Sequence, residues 1–298
     1  MAVASSLDVT FVPRDMLSPG GAGLGQVHSA GPGSHGDWPR CTVAADDPAE
    51  AAYDLAQRIC DGPLAALTLA EVLRLTGILP AEQGLGVESY AYSALLAGEE
   101  FQAWRESREH REVSAARPDL VRLERDDDVL RITLDHAERR NSYSARMRDQ
   151  LVEALQVARL DSSVKRVELA GEGPSFCSGG DLDEFGTTPD PVLAHLIRTT
   201  AGAAPSLLDV GNRLTVHMHG PCVGAGVELA AFAGRIVASP DLKVWMPEVE
   251  MGLMPGAGGT VSLPRRIGRW RTAYLALSGA QIDARTALAW GLVDEVAV

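Results

Sequence analysis

"FCSGGDLDEF" (residues 176–185) and "GPCVGAGVELAAFAGRI" (220–236) follow one plan: a cluster of small residues, then an acidic, helix-like segment. The runs leading into them, "VKRVELA" (164–170) and "RLTVHMHG" (213–220), are β-prone and predict strands. Strand, glycine-rich turn and helix, used twice, predict a β/α architecture. The start of a helix carries unpaired N–H groups and the positive end of the dipole, so two such loops facing one another can hold a negatively charged oxygen. Glycine lets a ligand approach the backbone closely, although most glycine-rich turns serve geometry alone.

Around these loops the alternation continues. "LVRLERDDDVLRITLDH" (120–136) reads as two strands joined at a solvated acidic tip, Asp126, Asp127 and Asp128. "NSYSARMRDQLVEALQVARLD" (141–161) reads as an amphipathic helix capped by Ser142 or Ser144. "GRIVASP" (234–240) adds a further strand. Towards the N-terminus the pattern changes. Residues 46–112 hold three helical stretches, "DDPAEAAYDLAQRIC", "LTLAEVLRLTGILP" and "VESYAYSALLAGEEFQAWRESREHRE", and predict an all-helical module of about three helices. In the second, Leu67, Leu69, Val72, Leu73 and Leu75 are expected to form the packed side. Residues 1–45, dominated by Gly, Ser, Pro and Ala from 18 to 40, are expected to be a flexible arm.

With 298 residues, 46% of them hydrophobic, the chain is long enough for one large domain and a smaller one. A net charge of −13 argues against nucleic acid and anionic membranes as partners. No window has the length of a membrane span and the N-terminus lacks the pattern of a signal peptide, so the expected location is cytoplasmic. Cys41, Cys60, Cys177 and Cys222 show no metal-ligand spacing, and His217 and His219 flank Met218 without a third ligand, so no metal site is expected. Lys165 and Lys243 are the only lysines, which leaves anionic ligands to arginine, backbone N–H groups or helix starts.

The ordered set "FCSGGDL", "GAGVELA", "PEVEMGLMPGAGGT" and "ALAWGLVDEV" resembles the crotonase superfamily, specifically the enoyl-CoA hydratase/isomerase family, over about residues 119–298. The resemblance implies an α/β fold with a crotonase-like core of repeated ββα units, here preceded by the helical module. It implies a thioester substrate whose carbonyl is polarised by the backbone N–H groups of Gly180 and Ala225. The family commonly has glycine at the second position, and alanine keeps the donor. Glu228 and Glu248 match the family's two catalytic glutamates and Gly256 a position whose N–H helps hold the reacting water. Phe176, Ser178 and Leu182 are the candidates for substrate contact.

Taken singly, Glu228 suits the start of a helix and Glu248 suits a loop ion pair with an arginine; their joint match to the family's positions points to chemistry. Glu250, two residues on, satisfies the residue chemistry equally, and the resemblance assigns the role to Glu248. Adding water across an α,β-unsaturated thioester needs one group to take a proton from water and another to give one to the α-carbon. The expected activity is therefore acyl-CoA hydratase or dehydratase, with no cofactor beyond the coenzyme A of the substrate, and with a carrier-protein thioester as the other carrier. Isomerisation, thioester hydrolysis, cofactor-independent dioxygenation and a catalytically silent scaffold subunit stay open. The resemblance further implies a homo-oligomer, trimer or hexamer. Family members continue past "GLVDEV" with a helical segment that covers the acyl pocket, which this sequence lacks; the helices of 46–112 are the expected cover.

Overall fold

The computed structural model describes residues 10–13, 42–109, 118–188 and 190–297. The expected flexible arm lies outside the described residues, except that β1 (Thr10–Pro13) and β2 (Thr42–Ala45) pair as a short parallel sheet.

Four helices follow, one more than the sequence suggests. Asp47 opens α1 (Pro48–Asp61), its carboxylate accepting from the N–H groups of Ala49 and Glu50. Pro63, in the first turn of α2 (Pro63–Thr76), has no N–H to leave unpaired there. The expected third helix breaks at Ala97 and Gly98 into α3 (Ala81–Leu96) and α4 (Glu99–Glu106). The break turns Glu100 back onto the start of α2, where its two oxygens accept from Leu64 N–H at 2.8 Å and Ala65 N–H at 3.0 Å. On α2, Leu69, Val72 and Leu73 are buried as expected, but Leu67 and Leu75 are each 42% exposed and Ala65, Ala66 and Ala70 take their place.

The hairpin of β3 (Val121–Asp126) and β4 (Val129–Leu134) turns at Asp127, whose φ of 50° is left-handed. Ser144, rather than Ser142, caps α5 (Ala145–Leu160) by accepting from Met147 N–H. After β5 (Arg166–Gly171) come α6 (Pro191–Ala201), α7 (Ala203–Val210), β6 (Leu214–Met218), β7 (Pro221–Val223) and α8 (Ala225–Ala230). The chain continues through β8 (Arg235–Ala238), β9 (Lys243–Trp245), α9 (Gly259–Ile267), α10 (Arg269–Ser278), β10 (Ile282–Asp283), α11 (Ala284–Trp290) and β11 (Glu295–Val296).

The strands form a six-stranded sheet in the order β11-β8-β6-β5-β4-β3, parallel except for the β3–β4 hairpin, and a three-stranded sheet in the order β10-β9-β7. Sequence reading gave no strand order. One apolar core joins the sheets to the N-terminal helices, with Leu69, Leu73 and Phe101 in the same cluster as Leu151, Leu207, Val216 and Leu275. The helices dock through α2 and α3 on α9, α3 on α6, and α1 and α2 on α10. Thr76 Oγ1 donates to the buried Thr260 carbonyl at 2.7 Å, tying α2 to the first turn of α9. Among the described residues, no helix is long and apolar enough to cross a membrane.

Candidate active site

The two small-residue loops touch, which is why they are small. Val223 N–H donates to Cys177 O at 3.2 Å. A methyl group on Gly226 would strike the Cys177 carbonyl oxygen, with Cys177 Cβ only 2.9 Å away, so any bulk there would force the loops apart. Gly179, at φ 97°, lies against the Val223 backbone in the same way. The segment after Asp181 is a set of turns, not the expected helix. Asp181 still caps it, accepting from Asp183 N–H at 3.1 Å, and Arg139 bridges both aspartates.

This contact brings two donors to one wall. Gly179 O and Asp181 N–H are both taken by the Tyr143 backbone, leaving the Gly180 N–H between them uncommitted among the described residues. The Ala225 N–H, first in α8, is equally uncommitted, while the Gly224 carbonyl before it accepts from Val227 and Glu228. Gly180 and Ala225 line one cavity of about 1200 Å³, together with Glu228, Glu248 and Gly256. Phe176, Ser178 and Leu182 do not line it. Phe176 is 1% exposed in the core, Leu182 is 40% exposed on the surface, and the Ser178 N–H is bonded to Arg140 O. Phe185, from the same loop, takes the place expected of them, its ring only 2.5 Å from where a Gly180 side chain would begin.

Glu228 and Glu248 are 2% and 7% exposed. Glu228 Oε2 accepts from Ala257 N–H at 2.7 Å and Gly259 N–H at 2.8 Å. Glu248 sits in a 3-10 turn (Glu248–Met251); its Oε1 fills the space in front of Gly224, and its Oε2 is buried with no hydrogen-bond partner among the described residues. Glu250 is exposed on the surface, paired with Arg58 at 2.5 Å, which removes it as an alternative.

Sequence reasoning missed a third carboxylate. Glu88, on α3 and 2% exposed, also reaches the loop of residues 255–260: its Oε1 accepts from Gly258 N–H at 2.7 Å, and its Oε2 accepts from Thr260 N–H at 2.8 Å and Thr260 Oγ1 at 2.7 Å. Consecutive N–H groups of that loop thus alternate between Glu228 and Glu88. One turn along α3, the Tyr92 ring lies against Gly256, and the Arg198 guanidinium of α6 stacks 4.8 Å above that ring. Arg198 is fastened to α3 by hydrogen bonds to Ser89 and Ser93. The signal was present in "VESYAYSALL": Glu88, Ser89, Tyr92 and Ser93 recur at i, i+1, i+4 and i+5, a polar stripe along one side of α3.

Burial raises all three glutamates above the ordinary carboxylate value of 4.5, Glu88 to about 7 and Glu248 to about 8. Glu228 is also raised, by burial first and then by repulsion from Glu248 and Glu88. A stability consequence follows with a definite sign. Between pH 4.5 and these raised values the folded chain holds protons that the unfolded chain has released, so the associated stability is complete below pH 4.5 and is lost as pH rises towards about 8. Glu248→Gln, which cannot ionise, is expected to melt at a higher temperature than the parent chain at pH 8 and at the same temperature at pH 4, measured by calorimetry across the range. Equal melting temperatures at both pH values would contradict the burial argument.

The C-terminal part of the chain is similar to known proteins. The family model for enoyl-CoA hydratase/isomerase matches residues 124–298, which include both small-residue loops and both glutamates but not the α3 and α4 residues that line the cavity. The chain is 33% identical over 175 residues to 2,3-dehydroadipyl-CoA hydratase of Escherichia coli, covering 58% of this chain and 68% of that protein. It is 34% identical over 172 residues to 1,2-epoxyphenylacetyl-CoA isomerase of Escherichia coli, covering 56% and 66% respectively. It spans only a quarter of longer relatives, such as the fatty acid oxidation complex subunit alpha of Shewanella amazonensis, with 36% identity and 25% of that protein covered. Among solved structures, a Thermobifida fusca protein in complex with CoA superposes with a TM-score of 0.53 at 30% identity, covering 60% of this chain and 72% of that one. A matched core carrying both touching loops and both glutamates makes this chain a member of the enoyl-CoA hydratase/isomerase family.

Proposed function

We propose that the chain adds water across an α,β-unsaturated acyl thioester and removes it in the reverse direction. The observation that carries this reading is the meeting of two buried glutamates and two uncommitted backbone donors on one cavity. The thioester oxygen accepts from the N–H groups of Gly180 and Ala225, which stabilise the charge that collects there as the enolate forms. Fixed backbone dipoles give this without reorganisation.

The two glutamates differ in their hydrogen bonds. Two backbone donors hold one Glu228 oxygen in place, which leaves its other oxygen to take the proton from water. Glu248 has an unsatisfied buried oxygen and suits the carrier of a proton for the α-carbon. Water oxygen bonds to the β-carbon, one water proton passes to Glu228, and the Glu248 proton goes to the α-carbon. Because the carboxyls interact, their titration belongs to the pair and not to either residue alone. In this reading Gly256, beside Ala257 on the loop that holds Glu228, orients that water through its N–H.

Coenzyme A as the carrier is supported by the CoA complex of the similar Thermobifida protein. Arg105, Arg148 and Arg159 line the cavity and supply cationic groups for its phosphates in a wall without lysine. The direct test is to incubate the full chain with short enoyl-CoA thioesters and follow the products by mass spectrometry. Gain of one water supports the reading. A double bond moved at unchanged mass would make the chain an isomerase, and free coenzyme A thiol a hydrolase; either result overturns it.

A further inference from the structure

We propose that Glu88 is a positioning residue for the Glu228 and Glu248 pair, fixing the backbone on which Glu228 rests and setting the pair's hold on its proton through its own charge. It comes from α3, outside the residues that the family model matches. Where turnover is concerned the inference rests on the hydratase reading, but its electrostatic part does not.

The geometry has two parts. The loop of residues 255–260 presents four successive N–H groups, and their division between two carboxylates fixes its conformation from both sides. Ala257 and Gly259 face Glu228, and Gly258 and Thr260 face Glu88. Without Glu88, the Gly258 and Thr260 N–H groups and the Thr260 hydroxyl would be buried donors with no acceptor, a costly arrangement that the loop would relieve by moving. Moving it displaces the donors of Glu228.

The second part is charge. Of the three carboxylates, Glu88 has the most donors, three, which favours its ionised form. Arg198 of α6 is the cation that faces it. Glu228 of α8 and Glu248 of the 3-10 turn both feel its negative charge. Tyr92, on α3 itself, is held in its protonated phenol form by burial, and His195 of α6 bonds to Ser89 instead. A negative charge on Glu88 therefore favours a proton on the pair. A residue that merely packed would leave that proton's affinity unchanged.

The test uses the full-length chain and two substitutions. Glu88→Gln removes the charge and places an amide N–H against a backbone N–H. Thr260→Val keeps the Glu88 carboxylate and the backbone bonds but deletes one donor to it. Carboxyl carbon NMR of glutamate-labelled protein follows the titration of Glu228 and Glu248 directly. In Glu88→Gln both titrations are expected to move to lower pH by about one pH unit, with kcat down about 10²-fold. The alkaline limb of the rate profile should move the same way. Thr260→Val, in which Glu88 holds its charge less well, should give a smaller shift in the same direction, and it serves alone if Glu88→Gln does not fold. Titrations that stay at their parent values in the folded variants overturn the proposal. A parent chain that hydrates no enoyl thioester while its variants still show the shift would overturn the hydratase reading and support this one.

Discussion

Glu228→Gln and Glu248→Gln are each expected to lower kcat by about 10²–10⁴-fold, the range that a positioned acid or base supplies, while the affinity for a non-reacting thioester changes little. Both side chains are buried at the cavity wall and neither is needed for the core, so an amide of the same shape leaves the pocket intact. The double variant should lose much less than the product of the single losses, because a proton-transfer pair with one member gone is already disabled. Single-turnover rates and thioester titrations on the three variants check this. Weakened binding with unchanged turnover at saturation would remove the glutamates from the chemistry.

Gly226→Ala is expected to cost nearly as much without touching a reacting group. Its new methyl group would overlap the Cys177 carbonyl oxygen and come within 2.9 Å of Cys177 Cβ. The atom struck is backbone, so the conflict is relieved only if the Gly180 loop and the α8 start separate. Loss of alignment of one donor to a developing oxyanion costs about 10²–10³-fold in kcat. Steady-state kinetics with a melting curve decide it, and near-normal kcat in a well-folded Gly226→Ala would mean that the loops need not touch for activity.

That two loops are short of bulk was legible in the sequence, but Gly180 and Ala225 within them were assigned by the family resemblance, and the contact at Gly226 came from the fold. Glu228 and Glu248 were legible only by their match to a family pattern, and their proximity came from the fold. Side-chain direction was not legible in the first loop. Turns have no fixed period, so nothing told that Phe176 enters the core while Phe185 faces the cavity. On α2, apolar residues surround most of the circumference, and the buried face was misplaced at Leu67 and Leu75 for that reason. The stripe of Glu88, Ser89, Tyr92 and Ser93 was legible on α3, but not what it meets, because the partners of Glu88 lie far along the chain and no local pattern registers a contact of that separation.

That separation bears on how the molecule comes into being. The bond from Thr260 to Glu88 spans 172 positions, and Thr76 meets Thr260 across 184. Helices α2 and α3 leave the ribosome early, yet the backbone they are shaped to hold is made only after two further sheet layers have been synthesised. Until then their inward faces, including a carboxylate, have no docking partner, and such long-range closures are slow. Closure of the cavity is therefore expected among the late steps of folding, and the onset of catalytic competence during refolding should trail the formation of secondary structure.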